Sequence, residues 1–184
     1  AAYNLDSAII YINNAAKKIP FNPDDKQTKK MLTLGVRDYT IQTLLKSINF
    51  EAYSVAEQQN TLESYQHFID TYNDKSFLEQ AVNFRNQKAY MRAVAQKNSQ
   101  ALDDFIKKYP DAIEVKEAKD RYEKMLYEQT TADQTYQSYK NYLVTYPTGA
   151  YVDTAKQIFN QKVFEYYTRK NDLNAYVEFE KSYK

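Results

Sequence analysis

Apolar positions recur along this chain at helical spacing, and the recurrence itself repeats. Segments 65–73 (YQHFIDTYN), 102–110 (LDDFIKKYP), 139–147 (YKNYLVTYP) and 176–184 (YVEFEKSYK) each begin 37 residues after the last. Their columns agree in chemistry: Tyr65, Leu102, Tyr139 and Tyr176; then Phe68, Phe105, Tyr142 and Phe179; then Tyr72, Tyr109, Tyr146 and Tyr183. With Ile69, Ile106 and Leu143 at i+4, the offsets i, i+3, i+4 and i+7 draw one stripe of an amphipathic helix. Glu180 interrupts that stripe in the fourth copy. The intervening segments repeat too. Leu78, Val115 and Val152 share a column, as do Ala81, Ala118 and Ala155, then Arg85, Tyr122 and Phe159, then Tyr90, Tyr127 and Phe164. An alanine in three copies predicts a close helix crossing. Tyr53 and Ala56 precede Tyr90 and Ala93 by the same 37 residues, so the array begins before residue 60.

The joins carry capping chemistry. Asp74, Asp111 and Thr148 are predicted N-caps of the helix that follows each stripe, with Glu114 completing a capping box on Asp111. Pro110 and Pro147 stop the helix before them, because the residue preceding proline is pushed out of the α region. At the other, polar join the candidate caps are Asn60 or Thr61, Asn98, Thr131 and Asp172. Each unit is then a long helix of roughly 18 to 20 residues and a shorter one of roughly 11 to 13. One such pair cannot bury its own stripe, whereas stacked neighbours can. The expected fold is all-α, an α-solenoid of helix-turn-helix repeats with about ten helices. Residues 1–24 read as an N-terminal helix, stopping at Pro20, and a loop. Residues 25–60 read as a degenerate repeat, with Gly35 in the place of Tyr72 and a break near GVRD; a single long helix is the alternative. Residues 61–184 read as regular repeats in one continuous domain.

These units resemble the tetratricopeptide repeat, whose spacing of a small residue, a large apolar residue, a second small residue and proline is matched by Ala8, Ile12, Ala15 and Pro20. Asn98, Leu102, Phe105 and Pro110 keep the spacing without the small residues, and the unit is longer than the usual repeat of about 34 residues. Over residues 60–184 the pattern is more similar to the divergent Y..FI..YP......A repeats of bacterial envelope proteins, such as the outer-membrane assembly lipoprotein and Tol-Pal coordinator families. The resemblance implies that the long helix after each YP lines a concave, peptide-binding face. The contact positions it implies are Arg85 and Asn86, then Lys119, Tyr122 and Glu123, then Lys156, Phe159 and Asn160. It also implies a protein or peptide partner, a periplasmic or outer-membrane-associated location, and flanking domains in the same chain. The plainer reading makes Tyr122 and Phe159 core residues and the charged positions solvated surface.

Composition narrows the chemistry. The 184-residue chain has a net charge of +1, which offers no general attraction to nucleic acid. Its mean hydropathy of −0.79 suits an elongated fold with much surface per residue. Having no cysteine, it forms no disulfide and no thiolate site. Two glycines are too few for hairpin-rich β folds, a P-loop or a dinucleotide fingerprint. No apolar run approaches the roughly 20 residues of a membrane helix, so no direct membrane insertion is expected. His67 is the sole histidine. Glu63 and Asp70 lie at i−4 and i+3 from it and offer a weak metal triplet, but a solvated surface histidine is the plainer reading. A Ser-His-acid triad would need His67, and no nucleophile-elbow sequence is present. The adjacent Asp103 and Asp104 diverge on a helix, so they cannot converge as an acid–base pair. The 19 tyrosines fall mostly on the apolar stripes and read as core. We therefore expect no enzyme, no metal and no cofactor. A protein-binding scaffold is expected, with a structural spacer beside a neighbouring module as the alternative. Lys184 stands where Pro110 and Pro147 precede a further long helix, which makes the sequence read as a piece of a longer protein.

Overall fold

The computed structural model describes residues 4–18, 22, 24–72, 74–169 and 172–183. The fold is all-α. Among the described residues it has ten helices and no strand: α1 (Leu5–Ala16), α2 (Lys26–Thr33), α3 (Asp38–Gln59), α4 (Leu62–Thr71), α5 (Lys75–Ala95), α6 (Ser99–Lys108), α7 (Val115–Thr130), α8 (Tyr136–Thr145), α9 (Val152–Thr168) and α10 (Leu173–Tyr183). None of them is long and apolar enough to cross a membrane. The expected stop of α1 at Pro20 lies outside the described residues. The chain breaks between α2 and α3, where Gly35 adopts φ +78° and the Arg37 guanidinium donates to the Leu32 carbonyl at 2.6 Å.

The short helices α4, α6, α8 and α10 start at Leu62, Ser99, Tyr136 and Leu173, a constant step of 37 residues. The residue before each start caps it. Thr61, Asn98 and Thr135 accept from the amides of Ser64, Ala101 and Ser138 at 3.0, 2.8 and 3.2 Å, and the Asp172 carboxylate accepts from the Asn174 amide at 3.1 Å. The cap of α8 is therefore Thr135 and not the expected Thr131. The Thr131 hydroxyl instead donates back to the Tyr127 carbonyl at 2.8 Å, where α7 ends. One residue ahead of three caps stands a left-handed residue: Asn60, Lys97 and Gln134, with φ of 51°, 52° and 55°.

The long helices follow a different rule from the expected one. Asp74 opens α5: its backbone carbonyl accepts from the Phe77 and Leu78 amides and its carboxylate from the Ser76 amide. Asp111 and Thr148 cap nothing. Residues 109–112 and 146–149 form turns closed by Ala112 N–H to Tyr109 carbonyl and Gly149 N–H to Tyr146 carbonyl, with Pro110 and Pro147 second in each turn. Proline presets φ for that turn position, so the next residues complete a turn instead of the first helical coil. α7 and α9 consequently begin at Val115 and Val152 without a side-chain cap, and the Asp111–Glu114 capping box is not formed. α5 follows a join without proline and starts three residues earlier in its repeat. The long helices thus run 22, 21, 16 and 17 residues and the short ones 10, 10, 10 and 11.

The chain forms two compact units, residues 1–92 and 93–184. In the first, α1 and α4 both pack on α3. Its core joins Ile9 and Ile12 of α1 to Tyr53 and Ala56 of α3 and Phe68 of α4. The Tyr53 ring stacks on Phe77 at 4.9 Å and meets Phe68 edge-on at 5.4 Å. In the second, successive helices from α6 to α10 pack on one another. Leu102, Phe105, Tyr139 and Tyr142 are buried, as the stripe predicts. Ala81, Ala118 and Ala155 are each 0% exposed, which places the repeated alanine at a helix crossing with no room for a longer side chain.

Candidate functional site

The positions implied by the repeat resemblance fall into two groups. Five are engaged inside the chain. The Arg85 guanidinium donates to the Asn86 carbonyl oxygen at 2.8 and 3.1 Å and to Gln66 at 3.2 Å, and Asn86 is buried beneath it. The Glu123 carboxylate accepts from the Ala150 amide, tying α7 to the turn before α9. Tyr122 is half-buried, and burial is the main cause raising its hydroxyl pKa. Phe159 packs against the buried cluster of Tyr139, Tyr142 and Ala155. The remaining three, Lys119, Lys156 and Asn160, are exposed on α7 and α9. Tyr122 and Glu123 line a small cleft of about 240 Å³ with Tyr142, Tyr146 and Gly149. A Cβ built on Gly149 would stand 2.7 Å from the Tyr142 hydroxyl oxygen, so a larger residue there would have to displace that buried side chain.

His67 does not use its sequence neighbours. Glu63 pairs with Arg92 at 2.9 Å, and Asp70 accepts from Gln66 at 2.8 Å. His67 Nε2 instead lies 3.0 Å from Asp6 Oδ1, an oxygen that also accepts from the Tyr72 hydroxyl. An ionised Asp6 is an acceptor only, so Nε2 carries the proton. The Tyr72 hydrogen bond, followed by the His67 contacts, holds the Asp6 carboxyl below its ordinary pKa, while burial and then Asp6 push the Tyr72 hydroxyl up. The trio fastens α1 to α4. Among the described residues no three His, Cys, Asp or Glu side chains are grouped to hold a metal ion.

Among the described residues an open groove of about 450 Å³ lies between α1 and α3, lined by Ile9, Asn13, Leu45 and Asn49, together with two others. One, of about 510 Å³, lies in the first unit between α1, α3 and α4; its floor is Ala52, Val55 and Phe68, and Asp6, Glu63 and His67 stand on its rim. The other, of about 350 Å³, lies in the second unit where the end of α5 meets α6 and α7. Ala93, Val94, Leu102 and Met125 line it with apolar surface, and Lys97, Arg121, Lys124 and Glu128 surround them. Sequence reasoning passed over this second groove. The available signal was Arg121 and Lys124 at i, i+3, one helical face above Met125. No family model, curated protein or solved structure matches this chain.

Proposed function

We propose that this protein is a non-catalytic scaffold that holds a segment of a partner protein in a groove between helices of the repeat. The observation that carries this reading is the 350 Å³ groove, with an apolar floor and a charged rim built from three consecutive helices. Shallow apolar concavities with a few placed charges are the form in which helical surfaces take up peptide segments. The acid–base groups with a plausible chemical role are consistent with the same reading, because Asp6, His67, Glu63 and Glu123 serve as ties between elements. A random-peptide display selection on the whole chain tests it. Enriched sequences that bind the isolated protein at about micromolar Kd are expected, with binding lost on Met125→Glu, a change at the groove floor. A selection that enriches nothing over a helical control protein would sink the scaffold reading.

A second reading, a spacer that sets the distance to a neighbouring module, draws on the constant 37-residue step of the short helices. Met125→Glu at the groove floor discriminates. A spacer tolerates that change in the full-length protein and fails only when a whole unit is removed, whereas the scaffold fails on the single change.

A further inference from the structure

The repeat supplies its own control for the groove between α5, α6 and α7. The rim cations Lys97, Arg121 and Lys124 have counterparts one period earlier at Asn60, Phe84 and Gln87, and one period later at Gln134, Ile158 and Gln161. None of those six is charged. The same turn and the same helix pair are thus built twice without a cation at these positions, so the fold does not require one. Lys97 makes the point most sharply. It occupies left-handed backbone, φ 52°, at the column where the other two copies place amides. A long charged side chain gains nothing from that conformation, which glycine and asparagine adopt most cheaply.

Lys97 is exposed on the rim, and the ion pairs beside it face solvent. Lys124 faces Glu128 at 3.8 Å, and both side chains are about 60% exposed, a spacing and exposure that leave little net attraction to displace. Arg121 donates to Glu117 at 2.8 Å in a similarly exposed i,i+4 pair. The floor is apolar and includes one deformable side chain, Met125, suited to adapt to an anchor. Counting Glu117 with its partner Arg121, three cations stand against two anions, so the rim keeps a net positive charge centred on Lys97, and this favours an acidic occupant.

We propose that this groove binds an acidic protein segment, one that places an aliphatic or aromatic anchor on the Leu102 and Met125 floor with Asp or Glu side chains beside it against Lys97, Arg121 and Lys124. This rests on the scaffold reading and specifies its partner.

The test titrates fluorescein-labelled 12-residue peptides into the full chain and reads anisotropy. The first peptide flanks Leu and Phe with Asp and Glu; the second replaces the acids by Lys; the third keeps the acids and replaces Leu and Phe by Ser. The informative variant is Lys97→Asn with Lys124→Gln, since neighbouring repeats fold with an asparagine or a glutamine at those positions, and circular dichroism melting confirms its integrity. Expected is binding of the first peptide only, weakened about tenfold in the double variant and weakened again by raised salt. Equal binding of the first peptide to wild type and variant, or binding of the third peptide as tightly as the first, would overturn the proposal. If the basic peptide alone binds, the acidic-partner inference fails while the scaffold reading survives. If none binds and peptide display also enriches nothing, both fall.

Discussion

Asn60, Lys97 and Gln134 share one backbone conformation at one place in the repeat, yet only asparagine is at home there. The left-handed region crowds Cβ against the following carbonyl, a cost that glycine escapes and asparagine offsets by local hydrogen bonding. Gln134→Gly should therefore stabilise the protein by roughly 0.5–1 kcal/mol despite glycine's larger unfolded-state entropy. Urea unfolding measures it, and an unchanged or lowered midpoint would contradict the assignment. Asp6 is the second residue whose environment has a measurable consequence. Its folded-state pKa is depressed, so it contributes stability at pH values above its unfolded pKa of about 4. That contribution disappears as pH falls through the folded value. Asp6→Ala should lower Tm at neutral pH, and the gap to wild type should close as the pH is taken below 3.8. A gap that stays constant with pH would mean that the Asp6 pairing with His67 and Tyr72 does not form in solution. Neither partner of Asp6 was legible in the sequence. They stand 61 and 66 residues away, outside any shared period, so only the packing of α1 brings them together.

At the scale of the element, the stripe was legible because burial follows helical periodicity in α4, α6 and α8, where Tyr65, Leu102 and Tyr139 and then Phe68, Phe105 and Tyr142 are buried, whereas Tyr176 of α10 is exposed. Its phase was not equally legible at the joins. Thr131 reads as a cap from its polar neighbours, but the constant 37-residue step selects Thr135, and the hydrogen bonds follow the step. Asp111 and Thr148 read as caps because acceptors commonly precede helices; the proline before each diverts the chain into a turn first. Gly149 tests that turn. Gly149→Ala should destabilise by about 1–3 kcal/mol, the usual cost of forcing an extra methyl into a packed site. Adding Tyr142→Phe should recover part of the loss, because it removes the atom 2.7 Å from the new Cβ. Strictly additive effects in that double-mutant cycle would separate the two residues. The alanine column makes a companion case. Ala118 is fully buried at the crossing, so Ala118→Leu should cost about as much through overpacking, whereas Lys119→Leu, one residue on and exposed, should be near neutral in thermal melts.

For the molecule as a whole, stability in a repeat fold is a sum over units and the interfaces between neighbours. Helices α6 to α10 obey that logic locally, each packing on the next in the chain. The step of 37 residues from cap to cap then has a consequence that a compact globule would not share. Deleting residues 98–134 joins Lys97, already left-handed, directly to Thr135, already a cap, and so rebuilds the same turn with α8 in the place of α6. Every surviving stripe position keeps its column. Such a chain should retain its far-ultraviolet mean residue ellipticity and unfold cooperatively, at a lower temperature because one unit and one interface are gone. Deleting residues 98–127, which ends inside α7, removes nearly as much chain but leaves the remnant of α7 without its buried Ala118 and the next cap out of phase. It should lose ellipticity and cooperativity. The two deletions differ by seven residues, so a similar melting behaviour in both would show that chain length governs stability here rather than the register of the repeat, and it would remove the ground for treating neighbouring copies as structural controls for Lys97, Arg121 and Lys124.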